Sequence, residues 1–531
     1  MNRAADASRA QSSARSAYWV AAGILLSRVA GLVREIVFAY YFGISAVADV
    51  WRAALRIPNV LQNLLGEGVL SASFIPVYAE LLEEGREEEA GRVAGAIFAL
   101  LVAIAGGLAL VGIVFAPVLT RVVLLGFEVG GLRYDLTVAA LRITFPMMGV
   151  LVLSAWALGV LNSHRRFFVS YVAPVAWNAA IIATMVALGD TLESSRLVIA
   201  LAWGALVGGV LQFLVQLPWV IRVSRGLRIH WSTRLEGVRT TVRNAGPAIL
   251  GRGVVQVGGL IDVMLASVLT IGAVSALGFA YTLYVLPISL FGMSVAAAEL
   301  PELARNRRGA RDTLRRRVNG GLGRIAFYVV PSIIGYLALG LVVVAAIYQR
   351  GRFGPADTIL AYLVLAGYSL GLLATTGTRL FSSAFFALHD TKTPAKYALV
   401  RVALAAAAGL VLMLQLRRVE VAGYTLGAVG IAIASGLAAW VEWGLQRRAL
   451  MERVGEVGFM RGALARMAGA AGAAAVIGLG VAWLLPELGR VPTALLVLPT
   501  YVVAYFGFCK IFGVEELEAA LAGLTRRTDV D

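Results

Sequence analysis

Arginine is among the residues least tolerated in an apolar helix, and four of them stand close together near the start of this chain: Arg28, Arg34, Arg52 and Arg56. Their acidic company in the same stretch is Glu35, Asp49 and, a little further on, Glu67. A guanidinium does not deprotonate, and its planar fork of donors matches the oxygens of a phosphate or carboxylate. Several such forks around a polar cavity would make a pyrophosphate site. The competing reading is that Arg28 and Arg34 pair with Asp49 and Glu35 and merely hold helices together. Two acids do not neutralise four arginines, however, and an unmatched charge at membrane depth is costly unless it faces a cavity or a ligand. Glu67 stands between Gly66 and Gly68, shortly after Pro58, where the helix is expected to bend. It reads as a gate or proton-linked switch, or as a cap at the membrane interface.

Further along, Asp262 stands by itself in the apolar run Gly-Gly-Leu-Ile-Asp-Val-Met-Leu-Ala-Ser. A lone carboxylate in such surroundings must bind a cation, a proton or an arginine. Arg252 is ten residues away, about 15 Å along a helix, and too far to pair with it directly. Asp262 is therefore expected to hold a coupling cation, Na+ or H+. Arg379 and Arg401 are placed near helix ends, where a long side chain snorkels to the interface.

Enzyme chemistry finds little material. There is one cysteine, Cys509, and there are three histidines, His164, His230 and His389, all in or beside polar connections. No thiolate metal site or disulfide framework can be built from these. Walker, dinucleotide-binding and nucleophile-elbow motifs are absent from the sequence. No cofactor is expected, and the energy for any transport must come from an ion gradient, the membrane potential or the substrate gradient.

The elements that must carry these charges are membrane helices. Of 531 residues 59% are hydrophobic and 15% charged, where a soluble domain carries roughly 25% charged residues; the mean hydropathy is +0.81. A hydrocarbon core needs roughly 20 apolar residues per helix. About fourteen segments meet that length, near 18–42, 46–66, 91–118, 134–162, 167–189, 196–221, 246–271, 274–300, 321–348, 356–386, 395–416, 421–445, 463–485 and 491–513. The net charge of +16 gathers in alternate connections, such as Arg165 and Arg166, Arg222 to Arg243, Arg305 to Arg317, and Arg447 to Arg453. Cytoplasmic loops collect Lys and Arg in this way, so both termini are expected in the cytoplasm and no nucleic acid is needed to explain the charge. Residues 1–17 read as a cytoplasmic tail and not as a cleaved leader.

An internal repeat organises the helices. Gly31-Leu32-Val33-Arg34 is echoed by Gly259-Leu260-Ile261-Asp262, and Pro58 by Pro287, at an offset of about 228 residues. The fold is thus expected to be all-α and polytopic, with two six-helix lobes related by a parallel repeat: an N-lobe at 18–222 and a C-lobe at 246–445. Between them residues 223–245 form a basic connection, read either as an amphipathic helix on the membrane surface or as a plain loop. A loop at 446–462, two further helices at 463–513 and a tail at 514–531 complete the chain.

The stretch Ser27-Arg28-Val29-Ala30-Gly31-Leu32-Val33-Arg34-Glu35 opens a series of specific motifs. It is followed by Phe42-Gly43, Ala48-Asp49, Arg56-Ile57-Pro58-Asn59, Gly66-Glu67-Gly68 and Ser71-Ala72-Ser73-Phe74-Ile75-Pro76-Val77. These motifs, with Leu300-Pro301 and Asp390-Thr391-Lys392-Thr393-Pro394, resemble the MviN/MurJ family of lipid II flippases over essentially the whole chain. The resemblance implies a multi-pass protein of the bacterial cytoplasmic (inner) membrane. It further implies that the chain moves the undecaprenyl-pyrophosphate-linked disaccharide-pentapeptide to the periplasmic leaflet for cell-wall synthesis, and that the two C-terminal helices line a groove for the lipid tail. Membrane lipids and other cell-wall synthesis proteins are the partners it suggests. The family's functional arginines then fall on Arg28 and Arg34, its aspartate on Asp49, its gate glutamate on Glu67, and a sodium-binding acid of some members on Asp262. Two further family arginines fall on Gln62 and Thr282, so the site must differ, with Arg52, Arg56 or Arg252 as the compensating cations. An exporter of another polyprenyl-linked saccharide, or a scaffold that binds the precursor without moving it, are the alternatives.

Overall fold

The computed structural model describes residues 23–292, 310–485 and 488–518, and among these the chain is almost wholly helical. Two compact units are present, Met1–Gly272 and Ala273–Asp531. In the first, α1 covers 23–42 of the described chain. It is followed by α2 (Ala46–Leu65), α3 (Glu67–Glu83), α4 (Glu87–Val114), the short α5 (Ala116–Val123), α6 (Leu132–Ser163), α7 (Phe167–Leu188), α8 (Ser194–Val223) and α9 (Glu236–Ser267). The second unit contains α10 (Ala273–Pro287) running into a π-helical turn at Ile288–Gly292, then α11 (Ala310–Tyr348), α12 (Pro355–Ser369), α13 (Leu372–Ala387) and α14 (Lys392–Leu416). A two-stranded hairpin, β1 (Glu420–Val421) and β2 (Tyr424–Thr425), precedes α15 (Gly427–Val454), α16 (Arg461–Leu484) and α17 (Arg490–Ile511).

Among the described residues eleven helices are long and apolar enough to cross a membrane, counting Ala46–Glu83 as one, and the pair α12 and α13, bent by 44°, makes a twelfth. The expected fourteen include two more. The first, 18–42, is described only from residue 23, and the seventh, 246–271, keeps an apolar run of Gln256–Ser267. Large apolar side chains point outward all along the helices, with Trp483, Val503 and Ile511 more than 70% exposed. That surface suits hydrocarbon and not water.

Prolines interrupt several helices without breaking them, and the reason is visible in the hydrogen bonds. A proline at position i leaves the carbonyl at i−4 without its donor. Pro58 does this to Ala54, whose oxygen accepts instead from the Thr144 hydroxyl of α6 at 2.9 Å. Pro287 does it to Leu283, which accepts from Tyr336 of α11 at 2.8 Å. Pro331 does it to Phe327, which accepts from Tyr505 of α17 at 2.7 Å. Each orphan is thus capped by a hydroxyl from a neighbouring helix, the usual remedy where no water is at hand. The bend expected after Pro58 falls at Gly66, where α2 ends and α3 begins.

Three expectations change. The basic segment 223–245 is not a surface helix along its length: residues 224–235 are a non-helical strap, and α9 starts at Glu236. The strap crosses α4 so closely that a β-carbon at Gly91 or Gly95 would collide with the carbonyl oxygens of Arg225 and Arg228. Beside it, the Tyr78 hydroxyl lies 2.9 Å from Nε2 of His164 and 3.4 Å from Ser224. Burial lowers the His164 pKa, with Arg166 adding to the shift and Glu87 opposing it. The helix expected to open the C-lobe packs on α2, α3, α4 and α5, so by contact it belongs to the first unit. Residues 421–426 do not begin a helix. Ala422 and Gly423, both at positive φ, make a tight hairpin turn, and Tyr424 is tied to the buried Asp357 at 2.6 Å. The two C-terminal helices α16 and α17 pack on each other and on α11.

Candidate functional site

In α2 the residues Asp49, Arg52, Arg56, Asn59 and Asn63 recur at spacings of three and four. That period puts them on one face of the helix, a polar stripe along an otherwise apolar segment. The helix packs on α6, α9, α3 and α8, and it meets α1 through Arg52 and Trp51. At one end of the stripe, Asn63 donates to Gln256 of α9 at 3.2 Å.

Glu35 of α1 gathers two of the four arginines. Its Oε1 accepts from Arg34 at 2.8 Å and its Oε2 from Arg52 at 2.5 Å, and the carboxylate is buried. Aromatic faces complete both cations: Arg34 lies 4.9 Å from the Trp177 ring and Arg52 lies 5.0 Å from Phe38. Trp177 is itself fixed by donating to the Ala205 carbonyl of α8. One carboxylate between two guanidiniums leaves a net positive charge in this cluster.

Arg56 has different surroundings. Its guanidinium occupies the space in which a β-carbon on Gly259 of α9 would stand. Its Nε is buried without a hydrogen-bond partner, and among the described residues Arg56 forms no ion pair. Arg28, exposed and two turns from Glu35 on the same face of α1, likewise forms no ion pair among the described residues.

Asp49 makes contacts with the turn after α9 and with α6. Fully buried in the first turn of α2, it accepts from the backbone amide of Gly272 at 2.7 Å, and Arg133 approaches it at 3.9 Å. Gly272 has φ +93°; the carboxylate holds the turn that follows α9. Asp262 lies one turn beyond Gly259 on α9, half-buried and engaged with its neighbours, so it does not stand alone as the sequence suggested. The side chains of Glu67 and Arg252 lie outside the described residues. Gln62 is half-buried on α2, and Thr282 donates to the Gly278 carbonyl of its own helix. Among the described residues no three His, Cys, Asp or Glu side chains come together as a metal site.

Arg401 departs from expectation. It does not snorkel but pairs at 3.2 Å with Glu442, a buried acid of α15 that drew no attention in the sequence because it precedes the basic run Arg447, Arg448. Its helical position, mid-way along an apolar segment, was the available signal.

Known proteins resemble this chain along most of its length. It is 33% identical over 433 residues to the probable lipid II flippase MurJ of Haemophilus influenzae, covering 78% of this chain and 82% of that one. It is 33% identical over 380 residues to the lipid II flippase MurJ of Burkholderia cenocepacia, covering 71% and 73%. A solved structure described as lipid II flippase MurJ in an inward closed conformation shares the fold with a TM-score of 0.76 at 22% identity, over 93% of this chain and 98% of the other. The family profile described as lipid II flippase MurJ matches residues 38–500, and the chain belongs to that family of membrane transporters.

Proposed function

We propose that this chain flips lipid II, the polyprenyl-pyrophosphate-linked disaccharide-pentapeptide, from the cytoplasmic to the periplasmic leaflet by alternating access. The family assignment supports the substrate, and one observation carries the chemistry. Along α1 and α2 four arginines accompany two acids: Glu35 takes Arg34 and Arg52, and Asp49 accepts from the Gly272 amide with Arg133 at 3.9 Å. The surplus positive charge is what a pyrophosphate would neutralise, and Arg56, with a buried donor left over, is the arginine best prepared to meet it. Six residues before Gln62 on the same helix, it is the compensating cation for the arginine that the family resemblance expects there. Asp262, on the helix that faces Arg56, is the proposed site for a coupling cation. A cavity of about 560 Å³ between α11 and α16 is lined by Phe459, Met460, Leu464 and Met467 and flanked by Arg317 and Arg324; its apolar side suits a segment of the lipid tail.

The proposed orientation places both termini and the loops at Arg165 and Arg448 in the cytoplasm. Complementation tests the function: the gene should restore growth to a bacterium depleted of its lipid II flippase, and Arg56→Ala should not. Cysteine labelling of Arg448→Cys in the rescued cells should fail from the periplasmic side. Rescue by Arg56→Ala would remove the pyrophosphate role. Failure of the wild type, when it is expressed and inserted, would favour a different lipid-linked saccharide.

A further inference from the structure

Helix α10 carries an aromatic cluster that the pyrophosphate site does not use. Most of Ala273–Pro287 is buried, and Gly278, Tyr281, Thr282 and Val285, which stay partly or fully open, are spaced three and four apart on one face. Tyr281 is the large side chain of that face and is 49% exposed. Behind it stand two buried rings: Tyr284, with its centroid 5.9 Å away, and Tyr368 of α12, 6.0 Å away and edge-on at 70°. These two stack on each other at 5.3 Å, and the Tyr284 hydroxyl donates to Thr375 of α13 at 3.0 Å. Tyr281 therefore rests on neighbours that are themselves fixed.

Its place along the helix decides what its open side meets. The apolar span is Ala273–Leu290, and Tyr281 stands about 12 Å from the start and about 14 Å from the end. Tyrosines that anchor a helix sit at the two membrane interfaces, whereas this one is at mid-span. Its hydroxyl has no hydrogen-bond partner among the described residues, and an unpaired hydroxyl is unfavourable in hydrocarbon. The open side of Tyr281 thus requires a polar occupant. Beside it Thr282 turns its own hydroxyl to the Gly278 carbonyl, and apart from the phenol this face of α10 has no ionisable group. A sugar fits that chemistry: pyranose C–H groups lie against the electron-rich face of a tyrosine, and sugar hydroxyls exchange hydrogen bonds with the phenol. A lipid tail would leave the hydroxyl unpaired, and a peptide carboxylate would ask for a cation on the same face.

We propose that Tyr281 is a saccharide-stacking residue of the second unit, backed by Tyr284 and Tyr368, and that it takes a ring of the disaccharide of the transported precursor. This rests on the flippase reading above and extends it from the phosphates to the sugar. A tyrosine supplies a rigid, amphipathic contact area at low entropic cost, which suits a ligand that must be held and then released.

The test measures binding of three probes to the purified full-length protein in detergent: the complete lipid-linked disaccharide-pentapeptide, the lipid-linked disaccharide without its peptide, and undecaprenyl pyrophosphate. Tyr281→Phe keeps the ring and its packing but loses the hydroxyl, so it should weaken the first two probes about fivefold, the loss of one hydrogen bond. Tyr281→Leu loses the ring as well and should weaken them about tenfold or more. Neither change should alter binding of undecaprenyl pyrophosphate. Unaltered binding of both sugar-bearing probes by Tyr281→Leu, or equal weakening of all three probes, would overturn the subsite. So would a loss confined to the complete precursor, which would put peptide and not sugar on the ring. Wild-type protein that binds none of the three would instead overturn the flippase reading, and the subsite with it.

Discussion

The Arg56 guanidinium fills the notch left by the missing side chain of Gly259, so that α2 and α9 meet where one residue has no β-carbon and the other has a cation. A methyl group there would displace the arginine. Gly259→Ala should therefore reproduce Arg56→Ala in a flipping or complementation assay, a loss of roughly tenfold or more if one charge-assisted contact to phosphate is lost. Combining the two changes should add little, because both remove the same contact. Full additivity in the double variant would show that Gly259 matters for packing alone.

Glu35 is the shared counter-ion of Arg34 and Arg52. Removing one member of a buried ionic cluster leaves the others uncompensated, at about 3–5 kcal/mol. Glu35→Gln should lower the unfolding temperature in detergent markedly, whereas Arg28→Gln, at an exposed position, should shift it little. Equal stability of Glu35→Gln and wild type would contradict the bridging role.

Asp49 supports a turn: its carboxylate accepts from the Gly272 amide and faces Arg133. Asp49→Asn keeps an oxygen acceptor but loses the charge. We expect slower transport and a stability loss of about 1–3 kcal/mol, the range for a weakened buried hydrogen bond to a charged group, with pyrophosphate affinity unchanged. A selective loss of affinity would return Asp49 to the binding site.

The hydroxyls that cap proline-orphaned carbonyls make a sharper structural test. Tyr505→Phe removes the donor to Phe327 while keeping the ring that packs beside it. An unsatisfied buried carbonyl costs about 1–3 kcal/mol. Restoring the helical donor with Pro331→Ala should recover most of that loss, an outcome that simple packing damage at Tyr505 would not produce.

Asp390 governs a pH dependence outside the membrane spans. The hydroxyl and amide of Thr393 hold its carboxyl down at about 2 against the opposing effect of burial, and Arg453 adds a smaller contribution in the same direction as Thr393. The folded value lies below that of the unfolded chain, so the stabilisation is complete above about pH 4 and is lost as pH falls through about 2. The difference in unfolding temperature between wild type and Asp390→Asn should therefore narrow from pH 5 to pH 2.5. A gap independent of pH would assign the effect to the helix cap and not to charge.

The sequence by itself determined the membrane class, the approximate spans and the inventory of intramembrane charge. Each of these depends on neighbours along the chain: apolar run length, charge at loop positions, and residue type in a helix. The polar stripe of α2 was legible in the same way, as spacings of three and four from Asp49 to Asn63. Only the tertiary structure decided which charges are spent. Glu35 could have paired with Arg28 as well as with Arg52, and Asp49 with any of the arginines, until the packing of α1, α2 and α9 placed Arg52 on one carboxylate and the Gly272 amide on the other. Arg401 read as a snorkelling side chain until the packing of α14 on α15 set Glu442 opposite it. Ion pairing falls off over a few ångströms, and residues far apart in sequence come that close only through the way the helices cross.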